Sequence, residues 1–401
     1  MTDISSLPTI TLLAGHDRRV SGGHPWAYSN ELRLDAEAKA IPPGTLVRLS
    51  RADSKPIGIA TFNRNTLIAA RLILRSDTAR PGAVNRAFLE TRLRAALALR
   101  ARFFDAPYYR LVHAEGDGLP GFIIDRYGDT CVVQANTAGA ELLTEPLLDA
   151  LDAVIAPAAV ILRNDSPYRE LEGLKKEIRL ARGAIATPPE AVEFGVRHGV
   201  DPLDGQKTGW FFDLHEARGI VARLAKGGTM LDLCCHTGAF GLAALKTGAA
   251  SALLVDRAQP ALAQAEATAK ANGLGANAEF RRADLFDAAN ALAAEERRFD
   301  VVVADPPSFA KSRKDVPQAL KAYRKLAQGV ATVVAPGGFL FIASCSHNIE
   351  TEAFTTEIAR GLANAGREGR IIVAGGAGPD HPVHPLLPET GYLKWLVLAL
   401  D

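Results

Sequence analysis

Cysteine is scarce in this sequence. The 401 residues hold four: Cys131, Cys234, Cys235 and Cys345. None forms a CxxC pair and two are adjacent, which argues against a disulfide framework and a zinc site of standard spacing. Reduced thiols fit a cytoplasmic protein, and no metal-ligand set stands out. Long apolar runs are missing too. A run such as 338–344 is far too short to cross a bilayer. The start, 1–9, has Asp3 and no basic residue ahead of an apolar stretch, so no signal peptide is expected. Charge of one sign is also lacking: 46 Lys and Arg face 45 Asp and Glu, a net of +1. That balance does not by itself point to nucleic acid. With 48% hydrophobic and 23% charged residues, the composition is that of an ordinary globular protein. At roughly 150 residues per domain, two or three domains are expected.

Periodicity divides the chain into 1–78, 79–199 and 200–401. Short β-branched stretches at 45–49, 57–62 and 67–74 alternate with turn residues such as Gly22-Gly23 and Pro42-Pro43-Gly44. They predict a small barrel or sandwich. Ten Lys and Arg face seven Asp and Glu in 1–78, whereas each later segment is one charge negative. The middle segment reads as α+β, with helices over 83–104 and 140–154 and strands at 109–113, 121–125, 130–134 and 159–163. From residue 200 the pattern becomes regular βα alternation, with strands at 229–234, 252–255, 278–281, 301–304, 339–342, 371–373 and 394–399. Such alternation predicts an α/β, Rossmann-like domain with a doubly wound parallel sheet.

A doubly wound sheet binds its ligand at the carboxyl ends of its strands. The first strand runs into Asp232-Leu233-Cys234-Cys235-His236-Thr237-Gly238. Only Gly238 remains of a glycine-rich turn, which suits a ligand without a pyrophosphate. Asp256 ends the second strand, where an acid accepts both ribose hydroxyls. Asp284 follows the third, placed for the amino group of adenine, with Leu285 or Phe286 against the ring. Together Asp232, Asp256 and Asp284 outline a pocket for S-adenosylmethionine. A helix N-cap is the plain alternative for any one of them; three at successive strand ends favour the ligand.

The fourth strand ends Asp305-Pro306-Pro307-Ser308-Phe309, where two prolines remove two backbone donors and stiffen the chain. Asp305 is therefore expected at the rim of the pocket, with Phe309 available to stack on a base. The fifth ends Ser344-Cys345-Ser346-His347. Most free cysteines are inert and buried, a description that suits Cys131, Cys234 and Cys235. Cys345, beside Asp305, is a candidate nucleophile. His347 is either a partner that tunes that thiol or a surface residue. Lys311, Arg313, Lys314, Lys321, Arg324 and Lys325 follow, with one acid among them. They form either a solvated helix face or a basic lip for phosphates.

Asp-Pro-Pro-Ser-Phe, Ser-Cys-Ser-His and the stretch Gly205-Gln206-Lys207-Thr208-Gly209-Trp210-Phe211-Phe212-Asp213 resemble the bacterial ribosomal RNA large-subunit methyltransferase I family. The resemblance covers nearly the whole chain. It includes Arg18-Arg19 through Asn30, similar to an N-terminal PUA domain, Gly116 to Tyr127 in the central domain, and Asp380-His381-Pro382-Val383 with Glu389-Thr390-Gly391-Tyr392-Leu393-Lys394 near the end. It implies a class I S-adenosylmethionine enzyme that forms 5-methylcytosine in 23S rRNA. It further implies cofactor contacts from Gln206, Lys207, Thr208, Asp213, Asp232, Thr237, Gly238, Asp256, Asp284 and Asp305, and RNA contacts from Arg18, Arg19, Lys311, Arg313 and Lys314. The family's nucleophile maps onto Cys345, with Asp305 as its catalytic partner. His236 stands where the family typically has an aromatic residue, and Pro307-Ser308 carries no second cysteine. Two rivals remain open: an RNA guanine-N2 methyltransferase, which needs no cysteine, and a non-catalytic RNA-binding assembly factor. A homodimer is compatible with the sequence, as is a monomer.

Overall fold

The computed structural model describes residues 7–78, 80–203 and 208–401. Its chain forms two compact units and passes between them repeatedly. The first comprises Met1–Ala191, Val200–Phe212 and Pro379–Thr390; the second comprises Val192–Gly199, Asp213–Gly378 and Gly391–Asp401.

In the first unit, the apolar stretches of the N-terminal segment pair into a five-stranded sheet. Its order is Thr9–Thr11, Leu46–Ser50, Pro56–Phe62, Ile68–Arg75 and Trp26–Tyr28. Ile10, Val47, Leu49, Ala60 and Leu72 fill its core. A second five-stranded sheet follows, ordered Glu177–Gly183, Ala159–Asn164, Thr130–Ala135, Phe122–Tyr127 and Tyr108–His113. Helix Arg86–Arg100 is shorter than the expected 83–104; it starts late because the Asn85 side chain caps it by accepting from the Phe88 amide at 3.0 Å. The single helix expected over 140–154 is two, Ala138–Leu142 and Thr144–Val154. The Thr137 side chain caps the first at 3.1 Å and starts it two residues early.

The second unit is built on seven strands: β1 (Thr229–Leu233), β2 (Ser251–Asp256), β3 (Ala278–Arg282), β4 (Phe299–Ala304), β5 (Val334–Ser344), β6 (Gly369–Gly375) and β7 (Lys394–Leu400). Their order is β3-β2-β1-β4-β5-β7-β6. The first five are parallel, as the βα alternation predicts. An all-parallel sheet was the expectation, and β7 corrects it by running antiparallel to both β5 and β6. A parallel return needs a crossover, usually an α-helix. Between β6 and β7 the chain has only a 3₁₀ turn, Pro388–Thr390, so the last strand returns antiparallel.

Side chains alternate across this sheet with a period of two. Leu231, Leu233, Val302, Ala304, Leu340 and Ile342 face one core, shared with helices Leu285–Ala294, Val316–Ala331 and Thr351–Asn364. Met230, Val301, Val303, Phe341 and Ala343 face the other, against helices His215–Leu224 and Ala239–Lys246. Asp232 shares the Met230 face and is only 1% exposed. A carboxylate in that position has to be justified by what it holds.

Candidate active site

Parallel registry lines up the strand ends. Leu233 pairs with Val255 on one side and Ala304 on the other, and Ala304 pairs with Ile342. The chain therefore leaves the sheet at nearly the same level three times, at Cys234, Asp256 and Asp305. Asp305 directly follows β4 and Cys345 directly follows β5, the strand paired with it.

After β1 the backbone turns sharply. Cys234, His236 and Gly238 all have positive φ, at 60°, 50° and 82°. Two non-glycine residues in the left-handed region store strain of a kind common at ligand sites. A Cβ at Gly238 would sit 2.8 Å from a Leu254 methyl, so only glycine fits there. Thr237, beside it, is buried. Asp232 explains its own burial: its carboxylate accepts the Gly241 amide at 2.9 Å, in the first turn of helix Ala239–Lys246. Burial, with Asp305 and Asp256 nearby, pushes its pKa up to about 7.

Asp256 accepts two amides, His236 at 2.9 Å and Ala258 at 2.8 Å, and so ties the turn after β1 to the turn after β2. The exposed Asp284 caps helix Leu285–Ala294 by accepting from Phe286 at 3.0 Å. The cap leaves acceptor sites on this acid for a ligand, since an ionised carboxylate has about four. Burial and the carboxylates of Asp256, Asp305, Asp232 and Asp284 push the Cys234 thiol up to about 12. Four acids around one strand end repel a phosphate but suit a ligand that presents hydroxyls, an amine and a positive sulfonium. The acceptors and the glycine-only turn fit S-adenosylmethionine.

The turns after β4 and β5 are stitched together. Ser346 Oγ donates to the Ala310 carbonyl at 2.8 Å, and Asn348 Nδ2 to the same oxygen at 3.3 Å. Beneath them, the buried Tyr323 donates its hydroxyl to Ser344 Oγ at 2.8 Å. Phe309 is half-buried against Tyr323, with ring centroids 4.8 Å apart, and Phe286 lies beyond at 6.5 Å. It braces the turn. Cys345 is half-buried at this rim, and His347 points outward, exposed. Burial raises the Cys131 thiol to about 12 and pushes Cys235 up as well, so neither is a ready thiolate.

Other expected residues are placed more widely. Gln206 and Lys207 lie outside the described residues. Thr208 belongs to the first unit; its hydroxyl donates to Asp125 at 2.5 Å, and its carbonyl accepts from Tyr127 at 3.1 Å. Asp213 is buried in the second unit and accepts the Tyr392 hydroxyl. Arg18 is exposed. Arg19 binds Glu31 at 2.6 Å and lies over the Tyr28 ring at 4.5 Å. Lys311, Arg313, Lys314 and Lys321 are exposed, whereas Arg324 pairs with Glu357 at 2.5 Å and Lys325 covers Phe286. The lip is therefore narrower than the sequence implied. Among the described residues no group of His, Cys, Asp or Glu is arranged to hold a metal. A separate cleft of about 410 Å³ in the first unit is lined by Arg75, Arg92, Glu115 and Asp117. Trp26 and Arg71 engage Glu115 and Arg100 engages Asp117, so those acids are structural.

Two functional candidates were missed. Lys394 Nζ donates to the Ser346 carbonyl at 2.6 Å and the Tyr392 carbonyl at 3.2 Å. A lysine at the head of the apolar run Trp395-Leu396-Val397-Leu398 was the available signal. Tyr323 offered none, since tyrosine on an amphipathic helix is ordinary.

Residues 180–368 match the family model for S-adenosylmethionine-dependent methyltransferases, and residues 10–75 match that for a PUA-like domain. The chain is 34% identical over 394 residues to the ribosomal RNA large subunit methyltransferase I of Photobacterium profundum, covering 96% of this chain and 98% of that one. Against the protein of the same name from Shewanella denitrificans it is 33% identical over 393 residues, covering 97% and 98%. Two solved structures share the fold over 98% of this chain and 100% of theirs, each at 21% identity. One is described as an S-adenosylmethionine-dependent methyltransferase from Streptococcus mutans, with a TM-score of 0.80. The other is a methyltransferase complexed with SAH, SMU.776, with a TM-score of 0.82. No helix among the described residues is long and apolar enough to cross a membrane.

Asp256→Ala should weaken S-adenosylmethionine binding by about 1.5–3 kcal/mol, the scale of hydrogen bonds to a charged group. Unchanged affinity by calorimetry, with circular dichroism preserved, would remove Asp256 from the ribose site. A second expectation concerns pH. Asp232 ionises near 4 in the unfolded chain and only near 7 in the fold. Its contribution to stability therefore declines as pH rises from about 4 to 7, and the full cost is present above 7. Asp232→Asn keeps the acceptor for Gly241 and removes that cost. Urea titrations from pH 5 to 8 should show the variant gaining on the wild type as pH rises. A constant difference would mean that Asp232 ionises as an ordinary carboxylate.

Proposed function

Because this chain belongs to the ribosomal RNA large subunit methyltransferase I family, we propose that it methylates carbon 5 of a cytosine in 23S ribosomal RNA, with Cys345 as nucleophile. It is an S-adenosylmethionine-dependent methyltransferase. The observation that supports the cytosine reading is that Asp305 and Cys345 each directly follow the end of one of two adjacent strands. An amine methyltransferase would have no use for that thiol.

Carbon 5 of cytosine is a poor nucleophile. Attack of the Cys345 thiolate on carbon 6 forms a C–S bond and moves the ring electron pair to carbon 5. Asp305, in its protonated form, donates to N3 as negative charge develops there and accepts from the exocyclic amine. Bound S-adenosylmethionine supplies the methyl group. Loss of the carbon 5 proton to a base then expels Cys345 and restores the ring. Asp232, Thr237, Gly238, Asp256 and Asp284 hold the cofactor, joined by Asp213. The target base has to leave any stack to reach the pocket.

In this reading residues 1–78 bind RNA, 79–199 form a central domain and 200–401 carry the chemistry, in the cytoplasm where ribosomes are made. Arg18, Arg19, Lys311, Arg313 and Lys314 contact phosphates, with Arg19 also tied to Glu31.

RNA carrying 5-fluorocytosine at the target should trap the protein covalently, since fluorine cannot leave as a proton does. Cys345→Ser should abolish trapping and methyl transfer while S-adenosylmethionine still binds. Cys234→Ser and Cys235→Ser should still trap. Methylation by Cys345→Ser at near the wild-type rate would overturn the cytosine-5 mechanism in favour of amine methylation. Replacing Lys311, Arg313 and Lys314 with Ala should weaken RNA binding and lower the salt slope of log Kd by about 1 per lost phosphate contact. An unaltered slope would make the lip a merely solvated surface.

A further inference from the structure

Lys394 opens β7 and pairs across the sheet with Ser344, the residue just before Cys345. Its side chain crosses to the turn after β5 and donates to the Ser346 carbonyl, the residue just after Cys345. The nucleophile is thus bracketed by two residues that Lys394 touches, one through the ladder and one through the ammonium. The lysine is only 9% exposed. An ammonium removed from water is costly unless a compensating charge is near. Yet its hydrogen-bond partners are the neutral carbonyls of Ser346 and Tyr392, and among the described residues no carboxylate forms an ion pair with it.

What offsets the cost is visible in the charges that face it. Burial lowers the Lys394 pKa, and the charge of Cys345 raises it, ahead of Glu350 from the start of helix Thr351–Asn364. The effect is mutual: a thiolate that favours the ammonium is favoured by it. Several other groups lie near Cys345. Asp305 follows the end of β4. Tyr323 comes from helix Val316–Ala331, with a phenol pushed up to about 12 by burial and, in part, by Cys345 and Asp305. Glu350 brings a further carboxyl, and the exposed His347 follows two residues on in the same turn. Tyr392 reaches the same lysine through its carbonyl and spends its hydroxyl on Asp213. A nucleophile among acids needs a cation to be ionised at neutral pH.

We propose that Lys394 is a positioning residue of the reaction: its ammonium fixes the turn that presents Cys345 and stabilises the thiolate that attacks cytosine. This rests on the reading of Cys345 as nucleophile.

The test is alkylation of the full-length protein by iodoacetamide across pH 6–10, with Cys345 followed at the peptide level by mass spectrometry. Lys394→Met should move the Cys345 midpoint upward by about one pH unit, which slows alkylation at pH 7 about tenfold. Lys394→Arg should restore the midpoint. In methylation assays Lys394→Met should lower kcat in the same proportion, leave KM for RNA near wild type, and recover as pH is raised. A purely structural lysine would move neither midpoint nor pH profile. If Lys394→Met fails to fold, Cys345→Ser reads the pair from the other end. Titration of the Lys394 ε-carbon by NMR should then show a lower midpoint than in wild type. An unchanged Cys345 midpoint in Lys394→Met, or an unchanged Lys394 midpoint in Cys345→Ser, overturns the proposal. Failure of the nucleophile reading is separate: it shows as methylation by Cys345→Ser, whatever the alkylation midpoints.

Discussion

Parallel strand registry is the constraint on which the second unit depends. Leu233, Val255, Ala304 and Ile342 sit side by side in one ladder, so the residues that follow leave the sheet together. A parallel sheet buried on both faces can end in polar groups only at its edges and strand ends. Here the carboxyl ends receive Asp256, Asp284 and Asp305 from three strands and Cys345 from a fourth. No single turn holds the site. Each contributes one group, and the ladder supplies the precision.

Burying charge near these ends sets the electrostatics. Asp232 occupies the apolar Met230 face and is repaid by the Gly241 amide at a helix N-terminus, but its pKa still rises to about 7. On the far side of β4 and β5, Lys394 is buried with carbonyl partners. The acidic end suits a cofactor with hydroxyls and a positive sulfonium, and the cationic end lies beside the thiol. On the proposed reading, holding the donor draws on the carboxylates and activating the acceptor on one buried ammonium of the same sheet.

Much of this was legible in the sequence because period-two and βα patterns report burial directly. The strands of the second unit fall within a few residues of expectation, and the acids lie where strand-end chemistry puts them. The direction of β7 was not legible: its apolar run reads the same either way, and the missing crossover helix shows only when 376–393 is seen to lack one. Arg19 reads as a surface cation until Glu31 and Tyr28, distant by several residues, are folded against it. The same holds for Arg324, whose partner Glu357 lies on another helix. Lys394 hid in a strand pattern that treats one charge at its start as a boundary.

The account stands or falls on the modified nucleotide. Mass spectrometric mapping of 23S ribosomal RNA would be made from cells lacking this protein, and from the same cells supplied with wild type or with Cys345→Ser. One 5-methylcytosine should be lost in the deletion, return with the wild type and stay absent with Cys345→Ser. An unchanged 5-methylcytosine content together with loss of an N2-methylguanine would contradict it.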